Sequence, residues 1–564
     1  MIKIKNIAGW KALSIVFLLI WIGLNFLSAE LTEIMSDEAY YSLYGENMAW
    51  AYYDHPPMVA VMNFISNLLF DGNLSVRFMT IALHLFTLLL TAKIIREKSP
   101  TPEKVTLFFV IMASMVLFQA FGFVTTPDIG LLFFTALFLY FYQQFTEKET
   151  WAVTLGLAFS MAGMVYSKYH AALIIGLIVL SNLRLLGNRK ALVAVFIALL
   201  ALVPHFYWQM QLDFPSFKYH LNGRSSEFQW LFFLEYLPNQ LVVFNPFAIG
   251  ALVYIFVKYR PGDVFERGLY FLIIGMIAFF WMMTFRGHIE PHWTVACTIP
   301  MAVLIYRYSL RNPKLMRFVK TWVAGSIVLV LIARALLTTD LLPEYLNFYG
   351  KEAKCKAIAS VAGERPVVFT GSFQHPSDYH FFTKNEAFVL SAVNSRQTQF
   401  DIWQKELACQ GKPVFIVGRR DGKSQVYTVD GFSFHGYFAE HFQSVNRVVI
   451  NFEAPQKEFY AGDTLHIAVE MDNPTTGDID FRHPEFPVTC KAVFAENRKK
   501  GSVEIVNAGF ETPVAGLRAG EKAKAVVKVV VPDLTPDAYK FAICLDNVVC
   551  TPQNSDYVAV RIRE

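Results

Sequence analysis

Over its first 338 residues the chain alternates long apolar stretches with short polar turns. Runs with few or no charges recur at 12–29, 78–92, 105–127, 129–146, 150–167, 169–183, 191–212, 236–257, 268–285, 291–306 and 321–333. At about 1.5 Å per residue each run, with its flanks, is long enough to cross roughly 30 Å of hydrocarbon. Lipid offers no partner to a free backbone N–H or C=O, so these eleven runs predict helices and not open strands. From Thr339 the pattern changes. Residues 366–371 and 413–417 read as short buried strands around a helix at 399–408. Beyond about 445, strand-like segments follow at 448–452, 464–471, 488–494, 523–531, 539–545 and 557–562. The expected fold class is an α-helical polytopic membrane domain of about 11 transmembrane helices at 1–338, an α/β unit at 339–445, and a β-sandwich-like domain at 446–564.

Composition supports the membrane reading. The chain is 54% hydrophobic and 17% charged, which excludes an ordinary soluble enzyme or a disordered scaffold. A net charge of +4 gives no reason to expect a nucleic-acid partner. The placement of Lys and Arg says more. With the amino terminus cytoplasmic, alternate turns hold nineteen of them against five on the opposite side, which predicts an outside location for residues 339–564. The run at 12–29 exceeds the 7–15 residues of a signal peptide's apolar core and reads as a retained first helix. Cys355, Cys409, Cys490, Cys544 and Cys550 fall in the outside portion, where disulfides are permitted; Cys544 and Cys550, flanking a Leu-Asp-Asn turn, are the expected pair. No C-x-x-C, H-E-x-x-H or P-loop pattern occurs.

The first outside loop, residues 30–58, carries Glu30, Glu33, Asp37, Glu38, Glu46 and Asp54 with no Lys or Arg. A carboxylate beside a bilayer is costly unless solvated, paired or used. A solvated acidic loop accounts for Glu30, Glu33 and Glu46. It accounts less well for Asp37-Glu38, set among Tyr40, Tyr41, Tyr44, Trp50, Tyr52 and Tyr53, rings suited to stacking on sugars and to the membrane interface. The structural alternative for Asp37 is a helix N-cap, since Ser36-Asp37 precedes a helical-looking 39–49.

SDEAYY at 36–41 followed by YYDHPPM at 52–58 resembles the first periplasmic loop of the GT-C class of bacterial integral-membrane glycosyltransferases, those related to protein O-mannosyltransferases and to the lipid A aminoarabinose transferase. TTPD at 125–128, YSKYHAAL at 166–173 and, more loosely, FDIW at 400–403 extend the match over about residues 1–410, while the last 120 or so match nothing in that family. The resemblance implies an inner-membrane enzyme of a Gram-negative-type cell. It would take a sugar from a polyprenyl-phosphate donor and transfer it with inversion to a periplasmic acceptor: lipid A or its core, a glycan, or protein. Inversion in one step needs one carboxylate to take the acceptor's proton, and the motif places Asp37 in that role with Glu38 beside it. Tyr40, Tyr41 and Asp54 are candidate substrate contacts, and His55 stands where the aminoarabinose transferases have Lys before Pro-Pro.

The departing lipid phosphate wants positive charge near its oxygens. The scarce cations on that face are Lys168 with its neighbour His170, then Arg224 and Arg286. A lone lysine at a helix end also snorkels to headgroups, so Lys168 admits both readings. Asp128 begins a span and, by resemblance, orients substrate or helps hold a metal; a favourable acid at a helix N-terminus is the plainer account. The loop from Arg286 to Trp293 gathers His288, Glu290 and His292, which could ligate a divalent metal or contact sugar and phosphate, at a spacing that matches no signature. No cofactor is required by the reading. A membrane transporter or flippase is the alternative; acids gathered in loops on one face, almost no ionisable residue in mid-span and no internal repeat count against it.

Overall fold

The computed structural model describes residues 2–223, 228–339, 341, 349–420, 422–496 and 502–563. The chain divides into two compact units, Met1–Arg224 with Phe228–Tyr349 and, beyond it, Gly350–Glu564.

The first unit is helical. Helix α1 (Ile2–Leu31) leads into the short α2 (Ser36–Glu46) and the apolar α3 (Met58–Leu69), followed by α4 (Leu74–Ile95), α5 (Pro102–Ser114), α6 (Val116–Ala120) and α7 (Pro127–Glu147). Next come α8 (Trp151–Ser167), α9 (Ala171–Ser181), α10 (Arg189–Ala201), α11 (Val203–Gln211), α12 (Pro215–Lys218), α13 (Trp230–Phe244) and α14 (Pro246–Lys258). The unit ends with α15 (Val264–Met283), α16 (Thr298–Arg311), α17 (Pro313–Phe318) and α18 (Ala324–Leu336).

Five helices among the described residues are long and apolar enough to cross a membrane, and seven do so if each bent pair forms one span. The eleven apolar runs therefore do not become eleven uninterrupted helices. The breaks have local causes. Asn245, at φ +80°, accepts a hydrogen bond from Phe247 N at 2.9 Å, and Pro246 cannot donate backward, so α13 and α14 meet at 103°. Pro204 follows the 43° bend between α10 and α11. The run at 105–127 breaks at Met115, 169–183 yields only the 11-residue α9, and 291–306 opens as a 3-10 turn, Pro291–Cys297.

Helix α7 is the most enclosed of the five long helices, with 67% of its apolar window buried. Gly163 of α8 lets it approach closely: a Cβ there would lie 2.3 Å from the Phe134 ring of α7. Ionisable groups do occur inside the bundle, contrary to the expectation from the runs. His84 of α4 meets Trp21 and Asn25 of α1 and the Phe118 carbonyl, and the buried Arg334 of α18 donates to Ser28 Oγ, Leu24 O and Asn25 Oδ1. Neutral acceptors on α1 thus satisfy Arg334, making it a tie between the ends of the unit's sequence.

The second unit begins with an α/β layer: α19 (Lys351–Ala362), β1 (Val367–Thr370), α20 (Gln374–Thr383), β2 (Ala387–Leu390), α21 (Gln399–Trp403), α22 (Glu406–Cys409), β3 (Val414–Val417), β4 (Gln425–Val429) and β5 (Phe432–Ala439). Its sheet runs β2-β1-β3-β5-β4, parallel through β2, β1 and β3 and antiparallel beyond. The helix expected at 399–408 is interrupted at Gln404, whose φ is +54°.

Then come β6 (Val449–Phe452), β7 (Glu458–Tyr460), β8 (Thr464–Asp472), β9 (Ile479–Asp480), β10 (Thr489–Glu496), β11 (Val503–Phe510), β12 (Gly516–Leu517), β13 (Lys522–Val530), β14 (Ala538–Asp546) and β15 (Val558–Arg563). Eight of them form one sheet in the order β6-β8-β13-β11-β10-β14-β15-β7. It wraps on itself: Phe452 and Phe459, from its two edge strands, both pack edge-on against Phe541 of β14. The expected Cys544–Cys550 bond is absent. Both are free thiols, Cys544 facing Val493 and Ala542 while the Cys550 thiol donates to Asn446 Oδ1 at 3.4 Å. Cys490 lies opposite Leu545, so strand alternation puts it on the other face from Cys544. Burial pushes the Cys490 thiol up to about 12 and the Cys544 thiol up to about 11.

Candidate active site

The site is built outward from the start of α2. Glu38 Oε2 accepts from Met35 N at 3.0 Å, closing the first turn, so the cap position falls on Met35 and not on Asp37. Asp37, in that first turn, is exposed; Glu38, the next residue, is buried. Adjacent acids thus receive opposite environments from one helical turn.

Glu38 was expected beside Asp37 as a catalytic carboxylate, and its surroundings give it another task. Arg77 of α4 donates Nε to Oε1 at 2.9 Å and Nη2 to Oε2 at 2.6 Å, while Thr125 N donates to Oε1 at 2.8 Å. The remaining N–H groups of Arg77 reach Ala29 O, Thr32 O, Thr32 Oγ1 and Glu33 O at 2.8–2.9 Å. With its oxygens occupied, Glu38 holds α2 against α4 and the segment before α7. Arg77 was not among the expected site residues. Its signal was a lone arginine at the edge of an apolar helix.

The exposed end of α2 is backed by tyrosines. The Tyr44 hydroxyl donates to Asp54 Oδ1 at 2.5 Å, and its ring stacks on Tyr52 at 3.9 Å. Tyr40 packs edge-on against Tyr44, and the Tyr41 hydroxyl lies 3.2 Å from His55 Nε2. Burial, and then the charges of Asp37, Asp54 and Asp128, hold the Tyr41 phenol well above its ordinary value of 10. The phenol remains a protonated donor near neutral pH.

Asp128 opens α7 behind Pro127, and Lys168, at the end of α8, grips both its oxygens at 2.8 and 2.9 Å. Both side chains are buried, so the Lys168 charge is shared with Asp128 and not held out for a phosphate alone. His292 Nε2 stands 3.9 Å from Asp128 Oδ2. His170 instead packs on Phe280 and Trp293 at 5.0 and 4.9 Å. The 286–293 loop divides: His288 lies between Glu235 and Glu290, at 3.7 and 3.9 Å, and the exposed Arg286 points to Leu221 O. Its two imidazoles therefore face different acids. Among the described residues no three His, Cys, Asp or Glu side chains are grouped to hold a metal ion. Arg224 lies outside the described residues.

A second tie was not expected. The His205 Nδ1–H donates to Trp50 O at 3.0 Å, leaving Nε2 to accept from the Tyr169 hydroxyl at 3.2 Å. Gln209, one turn on, donates to Tyr169 Oη and Ser216 Oγ, and Ser216 donates to Tyr52 O at 2.6 Å. His220 Nε2 lies 3.0 Å from Asp54 O. Helix α11 and the turn after it thereby clamp residues 50–54. His205 and Gln209 sit four apart on one helical face, which is the sequence signal that could have found them.

Residues 54–208 match the profile of the dolichyl-phosphate-mannose-protein mannosyltransferase family. The lipid A galacturonosyltransferase RgtD of Rhizobium johnstonii is 23% identical over 425 residues, which cover 70% of this chain and 86% of that protein. Crystal structures of ArnT from Cupriavidus metallidurans, apo and bound to undecaprenyl phosphate, are similar in fold, with TM-scores of 0.56 and 0.57 at 13% and 14% identity. Each alignment covers 76% of this chain and 98% of ArnT. Profile, relative and fold agree with the resemblance carried by SDEAYY and YYDHPPM: the chain has the fold of ArnT and is similar to membrane glycosyltransferases of the GT-C type.

Proposed function

We propose that the protein transfers a monosaccharide, with inversion, from a polyprenyl-phosphate donor to a lipid acceptor of the lipid A type, with Asp37 as the base, at the periplasmic face of the inner membrane. The observation that carries this reading is the split between neighbouring acids: Glu38 is buried against Arg77 and Thr125, whereas Asp37 is exposed on the same turn, next to Tyr40 and Tyr41 in the helix.

In the proposed step the acceptor hydroxyl gives its proton to the Asp37 carboxylate as its oxygen bonds to the anomeric carbon. The bond from that carbon to the phosphate oxygen breaks, and the polyprenyl phosphate leaves with the electron pair. A phosphate leaves without being protonated, so the site has only to supply donors to its oxygens. The Tyr41 hydroxyl, which meets His55, and His220, which meets the Asp54 carbonyl, are the donors assigned to that task, while the Asp128–Lys168 pair fixes α8 against α7. Undecaprenyl phosphate bound to ArnT supports the donor class, and the activity named for RgtD supports a lipid A acceptor.

The test incubates purified protein with polyprenyl-phosphate sugars and lipid A, follows donor loss and product mass, and assigns the anomeric configuration of the product. Turnover undiminished in Asp37→Asn removes Asp37 from the role. Movement of a lipid-linked sugar across vesicles without chemistry would favour a flippase.

A further inference from the structure

A groove of about 770 Å³ lies far from the residues described above, at the other end of the helices. Arg77 marks one end of α4 and Lys93 the other, about 24 Å away at 1.5 Å per residue. The groove runs between α1, α4 and α5. Its walls are apolar, with Leu18, Phe86, Leu89, Val105, Phe108 and Phe109 among them, and its mouth carries Lys93, Lys104 and Glu97. Phe86 and Leu89 are 50% and 38% exposed, so the groove opens sideways to whatever surrounds the helices.

The mouth has more positive charge than it neutralises. Lys104 Nζ lies 2.9 Å from Glu97 Oε1, and the Tyr306 hydroxyl donates to Glu97 Oε2 at 3.4 Å, so the one carboxylate is already engaged. Lys93 is exposed and has no carboxylate partner among the described residues. Trp10, on the same rim, is a residue that favours the level of lipid headgroups.

From this geometry we propose a binding site for one anionic glycerophospholipid, its acyl chain in the groove and its phosphate at Lys93 and Lys104. Hydrocarbon fills the apolar walls, and the lysines select a net negative headgroup over a zwitterionic one. The site is separate from the glycosyl-transfer residues and does not rest on the reading given for them.

The experiment uses the full chain, delipidated in detergent, and measures bound phosphatidylglycerol and phosphatidylcholine of equal acyl length by native mass spectrometry. Phosphatidylglycerol is expected to bind about fivefold more tightly. Lys93→Glu should remove most of that preference while leaving phosphatidylcholine binding as it was. Leu89→Trp, which fills the groove, should lose the bound lipid of both kinds. Ala92→Phe, on the same wall, repeats the filling test should Leu89→Trp fail to fold. Equal binding of the two lipids by the unaltered protein overturns the proposal, as does full phosphatidylglycerol occupancy in a folded groove-filled variant.

Discussion

Arg77 meets Glu38 through two hydrogen bonds, Nε to Oε1 at 2.9 Å and Nη2 to Oε2 at 2.6 Å, with both side chains shut off from solvent. The pair joins α2 to α4 and leaves Asp37, one residue earlier, on the open side of the same turn. Breaking one partner of a buried pair strands the other charge, so Glu38→Gln or Arg77→Met should each destabilise the protein by about 3–5 kcal/mol. The double variant should lose less than the two singles added together. Thermal unfolding in detergent reads both; a Glu38→Gln protein that melts with the parent would end the anchoring account.

Asp37→Asn should do the reverse. An exposed acid in the first turn of a helix contributes about 1 kcal/mol or less to stability, whereas removing a general base lowers rate by about 10²–10⁴-fold. The expected outcome is a melting temperature lowered by a few degrees at most with a transfer rate down at least a hundredfold. Loss of both together would mean that Asp37 is structural.

How much of this could be read along the chain depends on the range of the interaction. The apolar runs at 12–29, 78–92, 129–146 and 268–285 appear as α1, α4, α7 and α15, because burial in lipid and helix periodicity are local properties. The six alternating segments after 445 appear as β6, β8, β10, β13, β14 and β15. Strand β11 escaped notice since Glu504, Asn507 and Gly509 interrupt its apolar positions, and only partial burial marks it. The turn at Asn245-Pro246 lay inside a run whose hydropathy concealed it. At the candidate site, SDEAYY and YYDHPPM marked the segment on which these pairings converge, but not which of its acids is buried and which exposed. That depends on Arg77, on Tyr44 reaching Asp54, and on His205 reaching Trp50 across 155 positions, pairings that no local pattern encodes.

The thiols of Cys490 and Cys544 give a pH signature. Burial raises them to about 12 and about 11, whereas an unfolded thiol titrates near 8.5. The folded state keeps protons that the unfolded chain gives up, so their contribution is whole below about pH 8.5 and declines as pH rises toward 11–12. Each thiol should lower stability by about 1.4 kcal/mol per pH unit in that window. Urea midpoints of the β-rich unit within the full chain, measured from pH 8 to 10.5, should fall less steeply in Cys490→Ala/Cys544→Ala. Equal slopes would mean that these thiols ionise as freely as in the unfolded chain. A non-reducing digest should contain no peptide joining Cys544 to Cys550.

Gly45 sets how closely the helix bearing Asp37 lies on its neighbour. A Cβ at Gly45 would sit 2.8 Å from Asn63 Cβ and 2.9 Å from Phe64 N of α3, contacts no side-chain rotation relieves because one of them is backbone. Gly45→Ala must therefore push α2 off α3. Overpacking of this kind costs about 1–3 kcal/mol, part of which is offset by the better helix propensity of alanine. Function should suffer more than stability, because Tyr41 and Tyr44 ride on α2 and their hydroxyls meet His55 and Asp54 at 3.2 and 2.5 Å. A displacement near 1 Å is enough to lower a positioned reaction by up to about a hundredfold. The measurement is transfer rate against melting temperature for Gly45→Ala, with Gly176→Ala of α9, where an added Cβ meets nothing within 4 Å, as the control. A Gly45→Ala enzyme as active as the control would show that α2 has room to spare, and that the placement of Asp37 does not depend on its contact with α3.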